Sequence, residues 1–404
     1  MLLRIFLLVS VLAAGSGYAL QTAPALRVTP LDSPAAANSA EPRMSVSSKG
    51  VLLSWLERNG ATAALKFAER TSTGWSAPKT VASGADWVVN WADVPSVVRL
   101  GDGTLVAHWL QKNKTSSAAY DIRLSRSTDD GRTWSAPTPP HHDTAVAEHG
   151  FVSMFAMPAG GVGVIWLDGR AAAGHAGHDM GAGPSASAME LRFGVFDRTG
   201  KQSEETVVDA RVCDCCPTAA AITADGPIVA FRDRSSGEIR DISVSRLVGG
   251  KWTEPSSVHH DNWNITGCPV NGPALAARDR LVAVAWFTGA EKQNRAFVAV
   301  SKDSGKTFGA PVRLDDNGTL GRVDLAMLDD GSVVGAWIEY QAGGAAELRI
   351  RRILSSGERS AAVTVSPIGS DRAAGFPRLA RNGTELVMAW TDKTRVRTAI
   401  VSLK

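Results

Sequence analysis

Residues 100–112 read LGDGTLVAHWLQK, a glycine-containing turn followed by an apolar, β-rich run that leads to an aromatic residue, Trp109. The pattern recurs seven times, with its aromatic residue at Trp55, Trp109, Trp166, Phe231, Trp286, Trp337 and Trp390. Successive aromatics lie between 51 and 65 positions apart, enough for three or four short strands. Repeats of this length, in a chain with 39 glycines, predict an all-β fold of stacked blades.

The repeat predicts a β-propeller with one blade per unit, because a single unit cannot bury both faces of its sheet. We count seven blades, with six as the alternative, in a single domain over residues 20–404. The last unit reaches Lys404 after only three strands. The segment ALRVTPLDS, residues 25–33, is expected to supply the missing strand and close the ring.

The N-terminal sequence MLLRIFLLVSVLAAGSGYAL has the pattern of a secretory signal peptide: Arg4, an apolar run, and small residues before a cleavage point after Ala19. Residues 1–19 therefore predict export, to the periplasm or beyond. No later segment has the roughly eighteen apolar residues of a membrane span. No basic block predicts nucleic-acid binding, and the net charge is only +3. We expect a monomer that binds a small molecule or a glycan.

A second pattern occurs in STDDGRTW, residues 127–134, and in SKDSGKTF, residues 301–308. Both match Ser-x-Asp-x-Gly-x-Thr-aromatic, the Asp box, and the chain thereby resembles the sialidase, or BNR-repeat, superfamily. The resemblance covers nearly the whole chain after residue 19. It implies a propeller in which each box is a turn on the face opposite the ligand, with its Asp and Ser bonded to local amides. Sialidases have six blades, whereas seven are counted here.

Three arginines are candidates for ligand binding. In a propeller, the loops that enter the inner strands and leave the second strands share one face, where ligands usually bind. Arg43, Arg322 and Arg378 stand at comparable places in blades 1, 6 and 7, each an odd number of residues before its turn glycine. Period-two alternation therefore predicts that they share one side of their strands. They resemble the arginine triad with which sialidases hold a sugar carboxylate. The alternative is salt bridging to acidic residues two positions after the repeat aromatics.

Two tryptophans, Trp91 and Trp263, stand in loops that enter inner strands. They are predicted to lie on the ligand face, where an indole ring can stack on a sugar. A second feature departs from the sialidase pattern: the Arg-Ile-Pro motif at the first arginine is absent, since Met44 and Ser45 follow Arg43.

For catalysis, the resemblance implies a tyrosine nucleophile, a glutamate that assists it and an aspartate that acts as the acid. We assign these roles to Tyr340, Glu339 and Asp93. Tyr340 is preferred to Tyr120 because only Tyr340 is expected near the ligand face. Neighbouring residues of a strand point in opposite directions, so a direct contact between Tyr340 and Glu339 requires a bend.

The four cysteines stand before two neighbouring inner strands, those of blades 4 and 5. In an exported protein they are expected to form disulfides that tie these blades together. The alternatives are redox chemistry and a copper or zinc site on the ligand face. The ligands of that site would come from Cys213, Cys215, Cys216, Cys268, His149, His175, His178 and Met180. The Cys-x-Cys-Cys spacing matches no standard zinc pattern.

The sequence thus leaves two functions of different classes open. One is a glycosidase or glycan-binding protein for an acidic sugar, which needs no cofactor. The other is a periplasmic protein that binds copper or another soft metal; a non-catalytic scaffold is a third reading. Four further histidines are expected at the surface: His141, His142, His259 and His260.

Overall fold

The computed structural model describes residues 25–113, 119–172, 188–203 and 205–403, whose strands form seven antiparallel sheets. Blade 1 is β2 Ser39–Ser47, β3 Gly50–Asn59, β4 Thr62–Glu69 and β5 Lys79–Gly84; blade 2 is β6 Ser96–Arg99, β7 Leu105–Lys112 and β8 Tyr120–Ser127; blade 3 is β9 His149–Ala156, β10 Val162–Asp168, β11 Met189–Phe196 and β12 Thr206–Val212. Blade 4 is β13 Ala219–Thr223, β14 Gly226–Arg232, β15 Ile242–Val248, β16 Lys251–Trp252 and β17 Ser256–Ser257; blade 5 is β18 Ala274–Arg278, β19 Leu281–Thr288, β20 Arg295–Ser301 and β21 Val312–Arg313.

Blade 6 is β22 Thr319–Met327, β23 Val333–Tyr340, β24 Ala346–Ile353 and β25 Val363–Ile368; blade 7 is β26 Arg378–Asn382, β27 Glu385–Asp392, β28 Arg395–Leu403 and β1 Leu26–Leu31. The N-terminal strand therefore closes the ring, as predicted, with Leu26 opposite Leu403 in the register of β1 and β28. Short 3-10 turns occur at Arg170–Ala172, Ala290–Lys292, Ala342–Gly344 and Arg372–Ala374. In the described part of the chain, no helix is long and apolar enough to cross a membrane.

The repeat aromatics lie on the second strand of each blade and pack against the preceding blade. Trp166 of blade 3 belongs to a cluster with Leu110 of blade 2, and Trp337 of blade 6 to a cluster with Ala285 of blade 5. Both indoles are fully buried. Because burial of a large aromatic removes about 150–250 Å² from water, these residues are the main reason that the blades stack.

The acidic residues that follow the repeat aromatics bind within the blades and not in the channel. The indole N–H of Trp55 donates to Glu57 at 2.9 Å, and that carboxylate also pairs at 2.7 Å with Lys66, which lies opposite Trp55 on the third strand. Blade 3 has the same indole-to-carboxylate bond, from Trp166 to Asp168 at 2.8 Å. Salt bridging between these acids and the three candidate arginines is therefore not what the structure shows.

Each of the two Asp boxes is a turn, as the resemblance implies, and follows the third strand of its blade: β8 in blade 2 and β20 in blade 5. In the first box, Asp129 accepts the backbone N–H groups of Arg132 and Thr133, and the Ser127 hydroxyl accepts the N–H of Gly131. The bonds that Asp129 accepts from the backbone N–H and hydroxyl of Thr133, and then from the Ser127 hydroxyl, are the main reason that its pKa is lowered. The boxes hold turns together and contribute no group to the opposite face of the propeller.

Candidate functional site

The inner strands of the seven blades surround a central channel that contains a cavity of about 180 Å³. One residue from each inner strand faces this cavity, opposite the residue that precedes the repeat aromatic on the second strand. We call these seven residues the channel ring: Arg43, Ser96, Ser153, Ala219, Ala274, Asp324 and Arg378. The ring therefore places two arginines and one aspartate among small side chains.

The two guanidinium groups of the channel ring make few hydrogen bonds. Arg378 Nε donates one long bond, of 3.4 Å, to the carbonyl oxygen of Pro42. Among the described residues, Arg43 interacts with Asp93 and Asp324 through charge alone. The pKa of Arg378 is lowered to about 9, first by burial and then by repulsion from Arg43, while Asp324 opposes both effects. The ring thus has unused N–H donors and an excess of positive charge.

Arg322 does not join the channel ring, because the inner strand of blade 6 is irregular. The register of β22 and β23 shifts between Gly321 and Asp324, and Arg322 has a left-handed φ of 53°. Asp324 therefore occupies the ring position of blade 6. Arg322 lies at the rim, where its guanidinium donates to the Asp371 carbonyl at 2.7 Å. The structure brings Arg43 and Arg378 together and leaves Arg322 apart.

The rim contains a stack of four side chains that starts at Arg322 and ends at Arg378. The Arg322 guanidinium lies 4.6 Å from the centre of the Trp91 ring. Trp91 stacks on Phe376 at 5.7 Å, and the Arg378 guanidinium lies 5.4 Å from the Phe376 ring. Cation–π contacts of this kind contribute about 0.5–2 kcal/mol each. The Trp91 ring is therefore engaged by protein side chains.

Trp263 is also engaged by the protein. It is 8% exposed, packs edge-on against Phe287 at 5.5 Å, and has the Arg232 guanidinium 5.0 Å from its ring centre. Its ring also approaches the backbone at Gly289, where a Cβ atom would lie 2.7 Å from Trp263 Cζ2. Neither of the two tryptophans named from the sequence presents the open stacking surface expected of it.

Asp93 is fully buried beside the channel ring. Its carboxylate accepts the backbone N–H of Phe151 at 2.7 Å and the hydroxyl of Tyr120 at 3.4 Å. Burial raises its pKa to about 7; these two hydrogen bonds oppose the shift, Glu148 adds to it and Arg43 opposes it. Gly150 makes room for this arrangement, since a Cβ atom there would lie 2.0 Å from Asp93 Oδ2.

The tyrosine that contacts Asp93 is thus Tyr120, which the sequence analysis placed away from the ligand face. Tyr120 begins the third strand of blade 2 opposite Lys112, the last residue of the second strand, so it lies at the same end of the blade as the ligand-face loops. The short connection between these two strands was the sequence signal that could have placed Tyr120 near the ligand face. Burial, with the charge of Asp93 as the second cause, raises the pKa of Tyr120 well above its usual value.

Tyr340 and Glu339 point in different directions and do not form a pair. Glu339 is fully buried and accepts the Trp337 indole N–H at 2.5 Å and the Arg349 guanidinium at 2.8 Å. Tyr340, on the other face of the strand, lies near enough to Arg322 to influence its pKa. The structure therefore separates Tyr340 from Glu339.

The four cysteines converge at the ligand-face ends of blades 4 and 5 as free thiols. Cys213 Sγ lies 3.4 Å from Cys216 Sγ and 3.9 Å from Cys215 Sγ, and the Cys268 thiol interacts with that of Cys215. A disulfide requires an S–S distance of about 2.05 Å. The expected disulfides are therefore not present among the described residues.

Arginines and acids from the loops on either side of the first two strands of blade 4 surround the thiols. Arg240 Nη1 donates to Cys213 Sγ at 3.3 Å and also pairs with Glu238 at 2.7 Å. Arg234 pairs with Glu238 and with Asp214, which stands between two of the cysteines. Hydrogen bonds from the other thiols of the Cys-x-Cys-Cys segment, with Arg240 adding to their effect, hold the pKa of Cys213 well below its usual value.

The histidines differ from the sequence expectations in two ways. His141 is 6% exposed and His149 is fully buried, so His141 is not the surface residue that was expected. His149 lies with His141 between blades 2 and 3 and belongs to a cluster of carboxylates, separate from the three-sulfur cluster. His175, His178 and Met180 lie outside the described residues.

Residues 61–318 match a family model described as a BNR repeat-like domain. No curated protein matches the chain. Among solved structures, the BP39L lectin from Burkholderia pseudomallei is 14% identical, with 91% of this chain and 97% of that chain covered and a TM-score of 0.61. The polysaccharide lyase Uly1 is 12% identical, with 90% of each chain covered and a TM-score of 0.54. At these identities the likeness concerns the fold.

Proposed function

The chain belongs to the BNR repeat-like domain family, and we propose that it binds a carboxylated sugar at the ligand-face end of its central channel. The observation that carries this proposal is the pair of arginines in the channel ring, the partly buried Arg43 and the buried Arg378. Their guanidinium groups face one cavity and have unused N–H donors. A carboxylate would satisfy those donors and neutralise the excess charge, because guanidinium forks bind carboxylates in a bidentate manner.

A carbohydrate is the preferred source of the carboxylate because of the proteins that share this fold. The two solved structures described above are a lectin and a polysaccharide lyase, and both align with about nine-tenths of the chain. The cavity of about 180 Å³ is larger than a carboxylate needs, so part of the sugar ring could enter the channel with it. The proposed location is periplasmic or extracellular, because residues 1–19 have the pattern of a signal peptide.

Binding is proposed in preference to hydrolysis. A tyrosine nucleophile must lose its proton, whereas burial raises the pKa of Tyr120. Tyr340 lacks a glutamate partner, since Glu339 is bonded to Trp337 and Arg349. Asp93 has the raised pKa of an acid catalyst, but its carboxylate is occupied by Phe151 N–H and Tyr120.

The test is calorimetric titration with two acidic sugars, glucuronate and N-acetylneuraminate, beside neutral glucose. We expect an acidic sugar to bind and glucose not to bind. Arg43→Gln should weaken binding about 10- to 100-fold, because hydrogen bonds to a charged group contribute about 1.5–3 kcal/mol. Arg381→Gln is the matched control, since Arg381 pairs with Asp329 away from the channel. Equal affinity for glucose, or an unchanged affinity in Arg43→Gln, would overturn the proposal.

A second candidate function is binding of Cu(I) by the cysteines. The observation that favours it is that Cys213, Cys215 and Cys216 place their sulfur atoms within 4.8 Å of one another, with Cys268 beside them. Thiolates are soft ligands that select Cu(I). Arg240 at 3.3 Å from Cys213 would balance part of the charge of a copper–thiolate centre.

For this candidate we expect the reduced protein to retain about one copper ion per chain against a Cu(I) chelator, and the variant Cys215→Ser/Cys216→Ser to lose it. Metal content is measured by mass spectrometry beside a thiol count in denaturant. Met44→Leu, which removes a sulfur from the channel wall, is the control. The candidate fails if the double variant retains copper or if the native chain has fewer than four free thiols.

A further inference from the structure

Two buried histidine rings lie face to face between blades 2 and 3. His149 begins the inner strand β9, and His141 belongs to the connection between β8 and β9. Their ring centres are 3.8 Å apart and their planes differ by 3°. A bridge between Tyr120 and Glu148 joins β8 to the segment that precedes His149, so these two blades meet at this point.

The nitrogens of these rings are poorly satisfied. His149 is fully buried, and neither of its ring nitrogens has a hydrogen-bond partner among the described residues. His141 Nε2 is also buried without a partner in the same part of the structure. A buried polar group without a partner costs about 1–3 kcal/mol. Three unsatisfied imidazole nitrogens in one place therefore indicate that something else binds there.

Carboxylates surround the unsatisfied nitrogens. Asp121 Oδ1 lies 3.9 Å from both His141 Nε2 and His149 Nδ1. On the other side of the rings, Asp143 Oδ2 lies 3.0 Å from His141 Nδ1 and 3.4 Å from His149 Nε2. Asp168, which faces His149 in the strand register, lies 3.5 Å from His149 Nε2.

The charges of this cluster do not balance. Among the described residues, its charged groups are the carboxylates of Asp121, Asp143, Asp168, Glu190 and Glu205 and the guanidiniums of Arg123, Arg170 and Arg192. With both imidazoles neutral, five negative and three positive groups leave a net charge of −2. One divalent cation would neutralise the cluster. Its ligands would include two nitrogens, which favours zinc over calcium or magnesium because the latter two prefer oxygen.

We propose that His141 Nε2, His149 Nδ1 and Asp121 Oδ1 form a binding site for a zinc ion. In this arrangement the second nitrogen of each ligating ring faces a carboxylate: His141 Nδ1 faces Asp143, and His149 Nε2 faces Asp143 and Asp168. Such outer carboxylates fix the tautomer and orientation of zinc-bound histidines. The site is distinct from the channel ring and from the thiols, and it does not rest on the proposed sugar binding.

The interatomic distances are close to those of a zinc site, whereas the ring orientations must change. Zinc bonds of about 2.05 Å at the tetrahedral angle place ligand atoms roughly 3.4 Å apart. The two histidine nitrogens lie 3.9 Å from Asp121 Oδ1, so each must approach by a few tenths of an ångström. The lone pair of an imidazole lies in its ring plane, and one ion cannot lie in the planes of two parallel rings whose centres are 3.8 Å apart, so both rings must rotate out of their stack when zinc binds. Each ligating histidine is neutral, and binding to these atoms requires no redox step.

The decisive experiment uses the full chain, stripped of metal with a chelator and titrated with Zn²⁺ in competition with a chromophoric chelator. We expect one zinc ion per chain at this site, and His141→Gln should weaken its binding at least ~100-fold. His142→Gln, next to it in the chain and exposed, is the matched control and should have no effect. Asp143→Asn should retain the stoichiometry and weaken zinc about 10- to 100-fold, as expected for a positioning residue.

A measurement on the unsubstituted chain keeps the proposal testable if the variants fail to fold. X-ray absorption of the zinc-loaded protein should show two imidazole ligands and no sulfur. The Co²⁺ form should lack the intense thiolate-to-metal absorption that the cysteines would produce. Sulfur ligation, zinc binding that His141→Gln leaves unchanged, or no zinc binding at all would each overturn the assignment.

Discussion

Glu339→Ala is expected to destabilise the propeller by about 3–5 kcal/mol, although Glu339 lies at the end of a strand beside the ligand face. Its carboxylate is fully buried and accepts the Trp337 indole N–H, the Arg349 guanidinium and the backbone N–H of Asp316. Removal of that carboxylate leaves the largely buried charge of Arg349 without this partner and the indole N–H unpaired. Loss of one partner of a buried ion pair costs far more than loss of an exposed one.

Urea denaturation of the two proteins measures this difference from the midpoint and slope of the transition. Tyr340→Phe is the control, because it removes a polar atom from the neighbouring residue on the other face of the strand; we expect a change within about 0.5 kcal/mol. Glu339→Gln should fall between the two, since it keeps an acceptor for the indole N–H but loses the charge. If Glu339→Ala unfolded at the same urea concentration as the native chain, the structural role would be refuted.

The blade architecture could be predicted because it depends on residues that recur with regular spacing. Trp166 and Trp337 occupy equivalent places in their blades, and each packs against the preceding blade. The acid two positions later is also readable from the sequence. The hydrogen-bond partner of that acid could not be read from the sequence. An alternating pattern places Asp168 or Glu339 on one side of a strand and does not say which group lies there. The indole N–H two residues earlier is that partner.

The candidate site was predicted less well because it lies where the strands are irregular. The odd intervals between these arginines and their turn glycines predicted that Arg322 lies beside Arg43. In the structure, Gly321 and Arg322 both have left-handed φ values, 76° and 53°, and the strand register shifts there. Gly321 is the signal that was available: a Cβ atom at that position would lie 2.4 Å from Asn271 Oδ1. A glycine next to a candidate residue should therefore weaken any argument from alternation.

Burial of the loop residues could not be predicted from local sequence at all. His141 stands in a polar segment and looks like a surface residue, yet it stacks on His149, the first residue of the next blade's inner strand. Tyr120 is a different case, since it begins the third strand of blade 2 and could have been placed near the ligand face from that position. The contact between His141 and His149 depends on a loop that joins neighbouring blades. These loops differ in length, so the repeat pattern does not predict such contacts. The convergence of the four cysteines was predictable, because their loops enter adjacent inner strands.

Asp93→Asn is expected to remove a pH-dependent loss of stability that Asp93 imposes on the native chain. Burial raises the pKa of Asp93 in the folded protein to about 7, above its ordinary value of 3.8. Below about pH 4 the carboxyl is protonated in both states and has no effect. Between about pH 4 and pH 7 the unfolded chain releases the proton while the folded chain keeps it. The free energy of unfolding therefore falls as the pH rises, by about 4 kcal/mol in total.

An asparagine at position 93 can accept the Phe151 N–H with its oxygen and donate to the Tyr120 hydroxyl with its nitrogen, so it imitates the protonated carboxyl. The two proteins should therefore have similar stabilities at pH 4, and the variant should be more stable by a few kcal/mol at pH 8. Urea transitions at several pH values measure the difference, and contributions of all other titrating groups cancel in it. Tyr120→Phe is the matched control, because it removes the weaker hydrogen bond to Asp93 and leaves the charge. A stability difference between native and Asp93→Asn protein that stays constant from pH 4 to pH 8 would show that Asp93 does not titrate in this range.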